Sequence, residues 1–315
     1  MDQLIQTLII GLANGLIFAL VALGYTLVYG IIELINFAHG DVFMIGSMIA
    51  FGLIAPVASG GLGVFSITSA TPAPLMVLQI LATLVIVIVA TATLNVGIER
   101  VAYRPLRHAP KLAPLISAIG MSFVLQNVGI LFGGAYDRSI DSIFPTTNLL
   151  APLGITNIVI TTAQVFVGVV TIPLLIALSW FVGKTRQGRA MRATAQDPDA
   201  AGLMGVDINR TIAITFLIGG ALAGAAGVVQ ILYNQYTVWN LGFRFGLNSF
   251  TAAVLGGIGN LQGAVLGALI IGEVNALSDR YLSANWTQAI VFGVLIVIMV
   301  FKPTGLLGQQ LADRA

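Results

Sequence analysis

Runs of roughly twenty residues without a charge recur along this chain, and no other feature limits its fold so strongly. A helix rises about 1.5 Å per residue and the hydrocarbon layer is about 30 Å thick, so each such run is long enough to cross a bilayer. The pattern marks spans at 4–29, 42–58, 73–96, 112–134, 162–182, 211–233, 261–277 and 286–301, with Glu273 the one acidic or basic residue inside them. Short apolar pieces remain at 31–38 and 247–258. With 57% hydrophobic and 8% charged residues over 315 positions, the chain reads as an all-α polytopic transmembrane bundle of about eight spans, with broken or re-entrant segments and two pseudo-symmetric halves.

Several function classes drop out. A net charge of +2 comes from basic residues scattered over loops, without interleaved aromatics, so nucleic acid is not a partner. The absence of cysteine removes disulfides, thiolate metal sites and a cysteine nucleophile. Two histidines and no convergent acid–base set leave no catalytic residue, metal ligand or cofactor to name, so an enzyme is the least favoured reading. No G-x-x-x-x-G-K-[ST] loop is present, so any ATP hydrolysis belongs to partner chains. The N-terminal "MDQLIQTLII" carries an acid and no basic n-region, which fits a retained span better than a cleaved signal.

Orientation follows from the cations. Arg100, Arg104, Arg107 and Lys111 share one loop; Lys184, Arg186, Arg189, Arg192 and Arg210 share another; Lys302 and Arg314 lie in the tail. The positive-inside rule makes these segments cytoplasmic. Segment 135–161, with Asp137, Arg138 and Asp141, then falls outside and is expected to form a short hairpin. For the C-terminus to be inside, 247–260 must re-enter from outside, 261–277 must return outward, and the N-terminus must also be outside.

"ELINFAHGD" at 33–41 places Glu33, His39 and Asp41 between two apolar runs. Irregular polar backbone at membrane depth has to be buried in protein or line a cavity, so the stretch is a candidate broken helix, with Gly40 supplying backbone freedom. "VLGGIGNLQGAVLGALIIG" at 254–272 is a second, where Gly256, Gly257 and Gly259 precede Asn260 and Gln262. Glycine-interrupted segments in corresponding halves point to a transport path. An ordinary loop between spans remains the competing reading. Most of the 36 glycines are expected to serve packing, as the spacing of Gly11/Gly15, Gly129/Gly133, Gly220/Gly224 and Gly263/Gly267 implies. Asn14, Gln126 and Asn127 read as interhelical hydrogen bonds, and Glu273 as either an interface or a path residue.

In the long inner loop at 183–210, Asp197 is placed to cap a short helix that begins at Pro198, with Asp199 favouring its positive end. Leu203, Met204 and Val206 then form an apolar edge that either anchors to the spans or enters a partner's groove. A solvated loop helix without a partner is the alternative.

Six stretches, "NGLIFALVALGYTLVYGIIELINFAHGDVFMIGS" (14–47), "IERVAYRPLR" (98–107), "LISAIGMSFVLQN" (115–127), "GRAMRATAQDPDAAGLMGVDINRTIAITF" (188–216), "FTAAVLGGIGNLQGAVLGALIIGEVNALS" (250–278) and "KPTGLLG" (302–308), resemble the branched-chain amino-acid ABC importer permeases of the LivH type. The resemblance covers nearly the whole chain in order. It implies a single permease domain over 1–315 in the bacterial cytoplasmic (inner) membrane. Its implied partners are a second related permease in a heterodimer, two cytoplasmic ATP-binding subunits, an extracytoplasmic substrate-binding protein and a small neutral amino acid. Asp199-Ala200-Ala201 with Gly205 resembles the "EAA…G" coupling loop, aspartate standing for glutamate and the later "I-x-L-P" absent. The ATPase-coupling set is therefore Arg189, Arg192, Asp197, Asp199, Ala200, Ala201 and Gly205. "NFAHGD" places Asn36, His39, Gly40 and Asp41 at the substrate path or its gate, joined by Asn260 and Gln262. The implied mechanism is alternating access driven by ATPases that push on 188–210. A urea or short-chain amide permease, or an ATP-independent carrier, is the alternative.

Overall fold

The structure is a computed structural model that describes residues 2–107, 109–110, 112–154 and 157–308; Lys111 and Arg314, two of the cations used for orientation, lie outside them. The chain begins with α1 (Asp2–Ile32), α2 (His39–Ile54), α3 (Ala73–Ile98) and α4 (Leu112–Gly133), followed by the two-residue strand β1 (Arg138–Ser139). Then come α5 (Thr162–Lys184), α6 (Arg186–Gln196), α7 (Pro198–Leu203), α8 (Ile208–Asn234) and strand β2 (Tyr236–Thr237), and last α9 (Leu241–Gly256), α10 (Leu261–Tyr281) and α11 (Ala284–Phe301). Among the described residues, seven helices, α1, α3, α4, α5, α8, α10 and α11, are long and apolar enough to cross a membrane. The protein is a multi-pass membrane protein.

The expected spans shift where local chemistry intervenes. The second, expected over 42–58, is the 16-residue α2, about 24 Å long. It starts at His39, and it stops because Ala55 precedes Pro56 and takes an extended backbone, ψ 139°. The third continues past Ile98 through a π-helical turn (Glu99–Tyr103) and a 3-10 turn (Arg104–Leu106), since its cations find an internal acid in Glu99. The apolar piece at 247–258 is the second half of α9, which also has 16 residues. The expected hairpin within 135–161 is corrected. Its strand β1 pairs antiparallel with β2, Arg138 opposite Thr237 and Ser139 opposite Tyr236. The loop closes on itself through Leu149 N donating to Ile160 O at 2.9 Å.

Side chains fix several helix starts. Thr161 and Gln164 form a capping box for α5, Asp207 caps α8 by accepting from Arg210 N, and Asn260 caps α10 by accepting from Gln262 N and Gly263 N. Gln6 of α1 exchanges two hydrogen bonds with the Val159 backbone, at 3.1 and 2.8 Å, so α1 begins beside the segment assigned to the outer face.

The packing of the helices repeats with inverted direction. α1 lies antiparallel on α10, with Gly11 beside Glu273, Gly15 beside Leu269 and Gly30 beside Gly259. α8 lies antiparallel on α3, with Gly220 beside Asn95 and Gly224 beside Thr91 and Val87. Each of α1 and α8 is followed by a non-helical break and a 16-residue helix, so α1–α4 correspond to α8–α11 turned over. The break at 33–38 is therefore matched by 235–240, where Gln235 has φ 65°, and not by 257–260 as the sequence pattern proposed. Gly257 and Gly259, at φ 106° and 91°, instead turn α9 into α10. α1 and α8 run through the core, while α4, α5 and α11 show outward faces carrying Phe132, Trp180 and Phe301.

The small-residue pairs serve packing as expected. Gly129 and Gly133 admit Met44 and Met48 of α2, and Gly263 and Gly267 let α10 approach the Gly256 and Ala252 carbonyls of α9. Asn14 accepts from Asn234 Nδ2 at 3.5 Å, joining α1 to α8. Asn127 departs from its expected interhelical role and donates to Phe123 O of its own helix at 2.8 Å.

Candidate functional site

The signature stretch divides into a break and a helix start. Glu33, with φ 52°, ends α1; residues 34–38 leave the helical path, and His39, Gly40 and Asp41 form the first turn of α2. Asn36 is 1% exposed and holds the break in place. Its Oδ1 accepts from the Tyr103 hydroxyl at 3.2 Å and its Nδ2 donates to Asn95 Oδ1 at 3.5 Å, while Asn95 Nδ2 donates to Phe216 O of α8 at 2.6 Å. One buried amide pair thus ties the break, α3 and α8 together, which satisfies polar groups that would otherwise be stranded at depth.

His39 is fully buried, packed edge-on against Tyr25 at 4.9 Å between ring centroids. It fits only because α1 has Gly24 there; a Cβ at Gly24 would lie 2.1 Å from His39 Nε2. Among the described residues the ring nitrogens make no hydrogen bond of good geometry, although the Val21 carbonyl interacts with the ring. Gly40 is helical, so its role is not the backbone freedom the sequence implied. A Cβ there would meet Gly242 O at 2.4 Å and Gly246 Cα at 2.9 Å, so Gly40 lets the start of α2 touch the start of α9. Asp41 accepts from the Ser122 hydroxyl of α4, which in turn accepts from Gln126 Nε2 at 3.1 Å, and Gln126 also interacts with the Asp41 carboxylate; Asp41 Oδ1 is buried without a hydrogen bond of good geometry among the described residues.

Asn260 and Gln262 stand apart from this cluster. Asn260 caps α10 and donates to Leu307 O at 2.7 Å, and Gln262 is exposed. Both lie at the end of the bundle that the cations make cytoplasmic. Glu273 sits mid-helix against Gly11 with Oε2 buried and without a hydrogen-bond partner among the described residues.

At the end of the bundle that the cations assign to the cytoplasm, α6 folds back tightly on α5. Thr185 caps it by accepting from Gly188 N, Arg192 donates to Val182 O, and Met191 is buried. Asp197 Oδ1 accepts from Ala200 N at 2.9 Å to cap α7, as the Asp-Pro pattern implied. Ala201 faces inward, and Gly205 has φ 85° with nothing within 4 Å of an added Cβ, so it is kept for the turn and not for space. Leu203 and Met204 are 90% and 86% exposed, which excludes anchoring to the spans of this chain. Arg189, Arg192 and Asp199 are exposed on the same face.

The sequence reading missed two groups. Glu99 is wholly buried and paired with Arg104 at 3.4 Å and with Arg107, and Arg107 also donates to Asn209 Oδ1 at 2.5 Å, joining the foot of α3 to the foot of α8. The motif "IERVAYRPLR" carries this signal, an acid with cations five and eight positions on. The other group is a cavity among α1, α8, α9, α10 and α11, at the end of the bundle that the cation pattern assigns to the outside, bounded by Phe18 and Phe245.

Comparison with known proteins agrees with this architecture. Residues 7–300 match the family described as branched-chain amino acid transport system / permease component. The chain is 43% identical to the high-affinity branched-chain amino acid transport system permease protein BraD of Pseudomonas aeruginosa, over 98% of this chain and 97% of that one. It is 42% identical to LivH of Escherichia coli K12, with the same coverage, and 30% identical to a probable LivH of Methanocaldococcus jannaschii, over 92% and 88%. No solved structure matches. These relatives are permease subunits, not enzymes. With seven helices among the described residues long and apolar enough to cross a membrane and a match along nearly its whole length, the chain belongs to the family of branched-chain amino-acid transport-system permease components.

Proposed function

We propose that this permease forms, as a single domain, the membrane path of an ATP-driven importer for branched-chain or other neutral amino acids in the bacterial cytoplasmic membrane. It works with a second related permease, two cytoplasmic ATPases and an extracytoplasmic binding protein. The observation that carries the reading is α7: a capped helix on the inner face that presents Leu203 and Met204 almost fully exposed, directly beside α6, which is locked to the bundle. Two large apolar side chains so placed on a rigid support fit insertion into a groove of a cytoplasmic partner. Arg189, Arg192, Asp197, Asp199, Ala200, Ala201 and Gly205 build and surround that knob.

Closure of the ATPases would push α6–α7. Arg107 bonded to Asn209 links the feet of α3 and α8, and Asn36–Asn95 links those helices to the break before α2. His39, Gly40 and Asp41 then act where α2 meets α9, as the gate that opens and closes behind substrate; Asn260 and Gln262 border the inner exit.

Reconstitution of the complete complex in proteoliposomes tests this. Leucine should accumulate only with ATP and loaded binding protein. Uptake that persists without ATP would refute the coupled mechanism, and ATP-driven uptake of urea or acetamide without leucine would move the chain to an amide system.

A further inference from the structure

The cavity near the outer face measures about 230 Å³, and no part of the foregoing reading uses it. Its lining is chemically divided. Arg244 of α9 and Asp279 of α10 stand exposed, Asn248 is buried to 6% exposure, and Phe18 and Phe245, 5.2 Å apart between ring centroids, supply an apolar wall. Phe245 also stacks on Phe43 of α2 at 5.3 Å, so the wall backs onto the helix that carries the signature.

Part of the polar lining has no partner among the described residues. Arg244 makes no side-chain hydrogen bond or ion pair among the described residues, where the ion pairs are those of Glu99. It lies one turn into α9, where the helix dipole disfavours a cation and an arriving anion would relieve it. Asn248 Oδ1 is buried without a hydrogen-bond partner among the described residues, an acceptor open to a donor. Asp279, by contrast, is positioned: its Oδ1 accepts from Thr287 Oγ1 at 2.5 Å. Tyr236 sits in the field of Arg244, Asp137 and Asp279 together, so opposite charges share this rim without closing on each other.

We infer that the cavity receives a zwitterionic amino acid, its carboxylate on Arg244, its ammonium on Asp279 and Asn248 Oδ1, and its apolar side chain against Phe18 and Phe245. The inference rests on the amino-acid reading above. A guanidinium offers a carboxylate two parallel donors, and an ammonium needs acceptors only. A sugar or urea would leave both charges unmatched. The cavity is thus the station between release from an outer donor protein and passage to the α2–α9 contact.

The test uses the assembled permease–ATPase complex in nanodiscs without binding protein. Equilibrium binding is measured for L-leucine, for leucinamide, which keeps the ammonium but has no carboxylate, and for 4-methylpentanoate, which has the carboxylate alone. Arg244→Gln should weaken L-leucine and 4-methylpentanoate by about tenfold or more and leave leucinamide unchanged; Asp279→Asn should weaken L-leucine and leucinamide and leave 4-methylpentanoate unchanged. The unchanged analogue in each case shows that the variant is folded. No binding of L-leucine to the wild-type complex, or equal binding by wild type and both variants, overturns the inference. Uptake separates the two levels. A wild-type complex that accumulates leucine, with both variants matching it, sinks the cavity and keeps the importer. A wild-type complex that accumulates no neutral amino acid sinks the importer reading itself.

Discussion

Gly40→Ala adds one carbon at the tightest crossing in the signature. That carbon would lie 2.4 Å from the Gly242 carbonyl oxygen and 2.9 Å from Gly246 Cα, both backbone atoms that cannot swing aside. Restoring ordinary contact requires α2 and α9 to part by about 1 Å, which forfeits dispersion across the whole crossing. Overpacking of this kind costs about 1–3 kcal/mol, offset by about 1 kcal/mol because alanine suits a helix better than glycine. The net expectation is a loss of about 0–2 kcal/mol and a larger loss of transport, because the shift falls where the two halves meet. Gly97→Ala and Gly120→Ala are the controls, having helical backbones and nothing within 4 Å of the new carbon. They should stabilise slightly. Thermal unfolding of the purified complex and leucine uptake per assembled complex are the readouts. If Gly40→Ala matches the two controls in both, the α2–α9 crossing does not have the importance given to it here.

Three further outcomes are expected. Asp41→Leu removes the acceptor of the Ser122 hydroxyl, at a cost of about 1–3 kcal/mol, while Asp41→Asn keeps an acceptor and should be milder; comparing their melting temperatures checks the order. Arg107→Ala leaves the buried Glu99 with Arg104 alone and breaks the bond to Asn209. It should destabilise by about 3 kcal/mol, whereas Arg107→Lys should recover part of the loss in the same melting assay. Leu203→Ser with Met204→Ser should leave melting of the permease pair within about 0.5 kcal/mol of wild type, since both side chains are exposed, yet reduce ATPase co-purification severalfold; undiminished co-purification would remove α7 from the interface.

The long helices were legible because a charge-free run of spanning length admits few structures in a bilayer. Residues 112–134 and 162–182 therefore coincide closely with α4 and α5. The Asp197-Pro198 start of α7 was legible because capping is local chemistry. The relation of the halves was not. Its second break, "QYTVWN", contains no glycine and looks like the end of a hydrophobic run, whereas the glycine-rich turn at 257–260 looks like a break and is a tight connection. The cavity was equally hidden, because Arg244 and Asp279 lie 35 positions apart on different helices and each alone reads as a stray surface charge. The pairing of Glu99 is not legible in the sequence because burial is a property of the fold, and a loop cation carries no sign of its partner.

The glycine seams have a mechanical consequence. Where side chains separate two helices, a push is partly absorbed as rotamers yield. Between α3 and α8, and between α8 and α2, the backbones nearly touch: Gly220 meets the Thr91 carbonyl, Gly224 the Val87 carbonyl, and Gly227 the backbone of Gly46 and Ser47. Such a joint has no soft layer to compress, so these three helices move as one stiff strut whose foot is clamped at Asn209 by Arg107. In the importer proposed above, bending would then fall at the breaks that follow α1 and α8, residues 33–38 and 235–240, and a short stroke at the inner face would reach the outer half of the membrane without being spent on the way.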